Sequence, residues 1–140
     1  MLLVVSALAG CGLLFGAAFE IDYEVDVRRV DTVSDSGGTV VSCDLVITAV
    51  AIGEVGERAK WGESLWTLRR ISDGSIYSEE STSAAAMQFY FGTLDIEAGE
   101  SLTTSLIHRT ADAPFEWEFS LNYRKPDGAR ETVHVTAVCA

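Results

Sequence analysis

The chain has 140 residues, 48% of them hydrophobic and only two of them proline, enough for one domain with a real core and too few for two. Ten basic side chains against 21 acidic ones give a formal charge of -11. This argues against nucleic acid as a partner, because phosphate binding needs clustered Lys and Arg to displace counterions, and it suits a soluble acidic surface, cations or a basic partner.

Residues 1–19 carry no charged side chain, after which Glu20, Asp22, Glu24 and Asp26 arrive at once. The run sits at the lower edge of the roughly 17 to 25 residues that span a bilayer as a helix. Within it, Leu8-Ala9-Gly10-Cys11 resembles the lipobox of bacterial lipoproteins. The resemblance implies that Cys11 is lipidated and becomes the new N-terminus once the segment before it is removed. Two other readings stand beside it. The whole run can remain as an uncleaved anchor, or Gly16-Ala17-Ala18 can offer the small residues that signal cleavage before Phe19 needs. All three place residues 20–140 outside the cytoplasm, in the cell envelope or beyond it, and the first two tie the domain to the membrane through a lipid or a helix.

The three cysteines point the same way. With Cys11 lipidated or lost, Cys43 and Cys139 remain as a pair. Cys43 shares its strand face with Val41, Leu45 and Ile47, and Cys139 shares its own with Val133, Val135 and Ala137. Both sulfurs are expected to point inward. We expect a disulfide, since an exported setting is oxidising, with two separate buried thiols as the alternative.

In chain order, Ile21, Tyr23, Val25 and Val27 alternate with Asp22, Glu24, Asp26 and Arg28, the period of a half-buried strand. Residues 34–38 read as a loop, and residues 39–52 as a long β-branched strand paired with the first. Residues 53–60 are polar with two glycines, and 61–71 return to an extended pattern around Trp66 and Leu68. Ser72-Asp73-Gly74-Ser75 is a hairpin turn leading into Ile76 and Tyr77. Residues 79–86 read as a loop, and Met87, Phe89 and Phe91, alternating with Gln88 and Tyr90, as a strand. A glycine turn at Gly99 precedes a strand over 101–108, and residues 109–114 link it to the last hairpin.

That hairpin is the clearest signal in the chain. Phe115, Trp117, Phe119, Leu121 and Tyr123 alternate with Glu116, Glu118, Ser120 and Asn122, Pro126-Asp127-Gly128 turns the chain, and Val133, Val135, Ala137 and Cys139 return on one face. The expected fold is therefore all-β, an antiparallel β-sandwich of seven or eight strands behind an N-terminal hydrophobic segment. Over residues 61–140, the DG turn after a Trp-containing strand, the L-x-I-x-A-G-E-S turn and the closing hairpin resemble immunoglobulin-like or fibronectin-III-like modules of prokaryotic envelope proteins. The resemblance implies adhesion, scaffolding or ligand binding, and it carries over no functional residue.

Catalytic signatures are sparse. His108 and His134, the two histidines, lie on different strands without His, Cys or carboxylate at ligand spacing, and Cys139 has no His and Met beside it for a copper site. There is no G-x-S-x-G elbow, and Ser36-Gly37-Gly38 precedes a strand rather than a helix, the wrong setting for a phosphate cradle. Asp31 and Asp35 lack the spaced partners of a calcium loop. No metal or cofactor is expected. Alternation places Trp117 in the core, whereas Trp61, beside Gly62, and Tyr90 are candidates for stacking on a glycan or protein partner, with simple packing as the alternative.

These residues lead us to expect a non-catalytic, envelope-anchored binding or structural module lipidated at Cys11. One alternative is an accessory subunit of a surface appendage or envelope complex held by an intact N-terminal helix, a layout that resembles the stator-like proteins of archaeal motility filaments. Another is a secreted inhibitor offering a loop such as 53–60 to a protease.

Overall fold

The computed structural model describes residues 18–140. The first two strands, β1 (Glu20–Asp35) and β2 (Gly38–Ile52), form one long antiparallel hairpin with Glu20 opposite Ile52 and Asp35 opposite Gly38. A turn at residues 53–57, with Val55 fully exposed, leads into β3 (Arg58–Arg70), so the polar stretch 53–60 is a turn and the first three residues of a strand. Next come β4 (Ile76–Thr82), α1 (Ala84–Phe91), β5 (Asp95–Glu97), β6 (Ser101–Thr103), β7 (Ile107–Ala111), β8 (Phe115–Arg124) and β9 (Arg130–Cys139).

The strands sort into two antiparallel sheets, a β-sandwich. In one, β2 pairs with β1 along one edge and with β6 and then β7 along the other. In the second, the order is β4-β3-β8-β9, with β5 beside the start of β3 where β4 does not reach. The inner faces follow the alternation in the sequence. Val41, Cys43, Leu45 and Ile47 of β2 are fully buried, as are Phe115, Trp117, Phe119, Leu121 and Tyr123 of β8. On the edge strand β9, Ala137 and Cys139 are buried while Val133 and Val135 are half-buried. The Cys43 and Cys139 sulfurs are bonded, which joins β2 of one sheet to β9 of the other.

Three features differ from the sequence reading. Nine strands replace seven or eight. The stretch 101–108 is not one strand: it breaks at Thr104, whose backbone N–H donates to the Ile47 carbonyl and whose buried Oγ1 accepts from the Ile47 N–H, so β6 and β7 are separate. The larger difference is at 79–91, where β4 runs on to Thr82 and a helix replaces the expected loop and strand. Ser83 caps that helix by accepting from the Ala86 N–H at 3.1 Å, three alanines supply its first turn, and Gly92 closes it at φ 78° with its N–H on the Gln88 carbonyl. Met87 and Phe91, four apart, are both buried on the inner face, while Phe89 points outward and is 79% exposed. An apolar pattern only five residues long fits a period of two and one helical turn equally well.

Candidate functional site

A concave site lies where β3 bulges. Trp61 is opposite Tyr123 and Ser64 opposite Leu121, so Gly62 and Glu63 together face the single residue Asn122. Only glycine fits at 62, because a Cβ there would sit 2.8 Å from the Asn122 carbonyl oxygen. The Asn122 amide locks the bulge by donating to the Glu63 carbonyl at 2.9 Å, and its own oxygen accepts from Thr132 Oγ1. Beside this bulge, under the first turn of α1, is a cavity of about 380 Å³ lined by Lys60, Ser83, Gln88, Asn122, Arg124 and Arg130 together with the Trp61 and Gly62 edge, and by one carboxylate, Glu63. Its volume lies within the range of small-molecule sites, and its polar groups are mostly donors.

Trp61 itself is 4% exposed. Its ring stacks on Phe91 with centroids 4.0 Å apart and planes 8° from parallel, and its Nε1 donates to the Thr93 carbonyl at 3.0 Å. It is therefore the packing member of the pair of readings given above and fastens α1 to β3. Tyr90 is half-buried, tilted against Trp66 at 5.4 Å and edge-on to the exposed Phe89. The structure does not bring Trp61 and Tyr90 together as an exposed platform. Arg109 lies over the Trp66 ring, 5.1 Å from its centroid, and pairs with Glu80 at 2.6 Å.

The histidines acquire partners that lie far away in sequence. His108 Nδ1 shares a 2.5 Å hydrogen bond with Asp44 across β7 and β2, a carboxylate that no local spacing signals. His134 Nδ1 shares a 2.9 Å hydrogen bond with Ser120 on the outer face of the second sheet. A shallow hollow of about 320 Å³ there also holds Glu79 and Glu118. Both carboxylates are already engaged, Glu118 by Arg69 at 3.0 Å and Glu79 by Thr67 at 3.1 Å. The Arg69 hydrogen bond holds the Glu118 carboxyl below the usual carboxylate range. Nucleophile activation needs a base held by a third group, and among the described residues none holds the His134 ring from its other side. Among these residues, no three His, Cys, Asp or Glu side chains gather as a metal site. Cys11 lies outside the described residues, and no helix among them is long and apolar enough to cross a membrane.

No family model and no curated relative matches the chain. Solved structures do. A putative ApaA protein from Bordetella pertussis is similar with a TM-score of 0.67 at 11% identity, over 88% of this chain and 94% of that one. The Northeast Structural Genomics Consortium target SoR45 is similar with a TM-score of 0.63 at 14% identity, over 88% and 86%. At such identities the likeness defines the class, an antiparallel β-sandwich, and nothing narrower.

Proposed function

We propose that this chain is a non-catalytic binding or structural module of the cell envelope, exported and held at the membrane by its N-terminal segment through a lipid on Cys11. The observation that carries the proposal is the bond between Cys43 and Cys139. Such bonds persist in oxidising compartments and are rare where thioredoxin and glutathione keep thiols reduced. The uncharged run 1–19 supplies the export signal in the same reading. An immunoglobulin-like or fibronectin-III-like role in adhesion or scaffolding, toward a protein or glycan partner, is consistent with the sandwich.

A second reading keeps residues 1–19 as an intact anchor of an accessory subunit in a surface appendage or envelope complex. The start of β1 at Glu20 favours it, because the strand follows the apolar run directly and leaves no polar tether.

Topology is tested by labelling native cells with a membrane-impermeant amine reagent before and after lysis. Lys60 is exposed, and Lys60 and Lys125 are the only lysines. Labelling without permeabilising the cytoplasmic membrane is the expected result, and labelling only after lysis overturns the placement.

A further inference from the structure

Among the described residues, seven of the eight arginines lie within 4 Å of a carboxylate, and Lys60, Arg124 and Lys125 do not. The weakest of the seven is Arg130, whose contact with Glu63 is 3.9 Å with both side chains about 60% exposed. In a chain of charge -11, carboxylates are abundant, so cations left without one are an arrangement of the fold and not a shortage of partners.

Three of these four charges stand in a row. Lys60 of β3 is directly opposite Arg124 of β8, and Arg124 is directly opposite Arg130 of β9. Directly opposed residues of antiparallel strands project from the same face about 5 Å apart, and like charges so placed repel. All three border the cavity beside the bulge, where the Ser83 hydroxyl and the Gln88 amide add donors. Of the acids that face the row, one is held elsewhere and one, Glu63, lines the cavity and opposes an anion there. Asp95 stands opposite Lys60 from β5 but is bound by Arg58 at 3.0 Å, and Glu63 has only its loose contact with Arg130.

We propose that this row is a binding site for a short linear polyanion, one that carries carboxylate or phosphate groups in series; three cations fall short of the extended basic track that a nucleic acid needs. A single anionic group needs one guanidinium fork. Three cations strung over roughly 10 Å across three strands instead match anionic groups spaced along a chain. The repulsion within the row is relieved when such a ligand is bound, and that relief contributes to affinity. The acidic remainder of the surface opposes it, so binding is weak and strongly salt-dependent. This names a ligand class for the module proposed above and rests on that reading only for its place in the cell.

The test is calorimetric titration of the full chain in a neutral detergent with linear tripolyphosphate and, separately, orthophosphate at low salt. The expected result is tripolyphosphate affinity at least about tenfold above orthophosphate, with the difference collapsing near 0.5 M salt. It should fall about tenfold or more in the double variant Lys60→Gln/Arg130→Gln, which removes the two ends of the row and spares Arg124, whose Nη1 holds the Gly128 carbonyl. That variant should melt no lower than the parent, because it relieves like-charge repulsion. Repeating the titration in micelles doped with phosphatidylglycerol separates the sources: competition assigns the site to lipid headgroups, and an unchanged affinity assigns it to a soluble or polymeric anion. Absence of tripolyphosphate binding, equal affinity for the two anions, or undiminished binding by a folded double variant overturns the proposal.

Discussion

Cys43 and Cys139 are bonded across the two sheets, 96 positions apart in sequence, with their Cα atoms 5.9 Å apart and both residues fully buried. A cross-link that closes a loop of this length removes much of the freedom of the unfolded chain, worth roughly 4 to 5 kcal/mol in the chain-entropy model. The double variant Cys43→Ala/Cys139→Ala should therefore lose about that much stability. Urea unfolding of the parent with and without reductant, beside the variant, checks it. Coincident midpoints for all three would contradict the assignment.

Trp61→Ala should cost about 3 to 5 kcal/mol, the usual range for a large aromatic side chain removed from a core. The reason is its stack on Phe91 and its hydrogen bond to Thr93, which together hold α1 against β3. Denaturant unfolding measures the loss. An unchanged stability would return Trp61 to the role of an exposed contact.

The caps of α1 make a smaller and sharper prediction. Ser83→Ala removes the acceptor for the Ala86 N–H and should cost about 1 kcal/mol. Gly92→Ala places a side chain at φ 78° and should cost about 1 to 2 kcal/mol. Both are read from unfolding midpoints, with amide exchange in residues 84–91 rising in parallel.

The pH dependence has a sign at each end. Burial pushes the Tyr23 phenol well above the ordinary tyrosine range, Tyr123 beside it adds to the shift, and burial raises Tyr123 as well. Their contribution is fully present below the ordinary value of about 10 and is lost as pH rises through the raised folded values. At the acid end, Arg69 beside Glu118 and Arg70 beside Asp112 hold those carboxyls below the usual range. Stability from these pairs is present above the ordinary carboxylate range and disappears as pH falls through the lowered values. Phenolate absorbance followed through alkaline unfolding should show Tyr23 and Tyr123 ionising with the loss of structure and not before it.

The strands were legible wherever one face meets the core and the other meets water. In β8 each even step from Phe115 to Tyr123 is buried, and a one-residue slip would expose all five side chains, so the pattern and the register are fixed together. The inward sulfurs of β2 and β9 were legible for the same reason. The helix was not, because Met87, Phe89 and Phe91 fit either period over so short a run. Its caps, Ser83 and Gly92, were in plain sight and outweighed the alternation. The candidate site was hidden for a different reason. Lys60, Arg124 and Arg130 become neighbours only through the pairing of three strands, and the bulge that admits Gly62 over Asn122 is a property of that pairing. Its one local trace is the glycine inside the β3 pattern. The partner of His108, Asp44, was unreadable in the same way, since 64 positions separate them.

We propose that this sandwich is an exported module, lipidated at its leader and clamped by its cysteines. The intact mass of the protein extracted from native membranes, taken with and without reductant, tests it most directly. The expected species is a chain that begins at Cys11, carries an added acyl-glyceride mass, and gains about two mass units on reduction as the Cys43 to Cys139 bond opens. An unmodified chain beginning at Met1, with no change of mass on reduction, would contradict it.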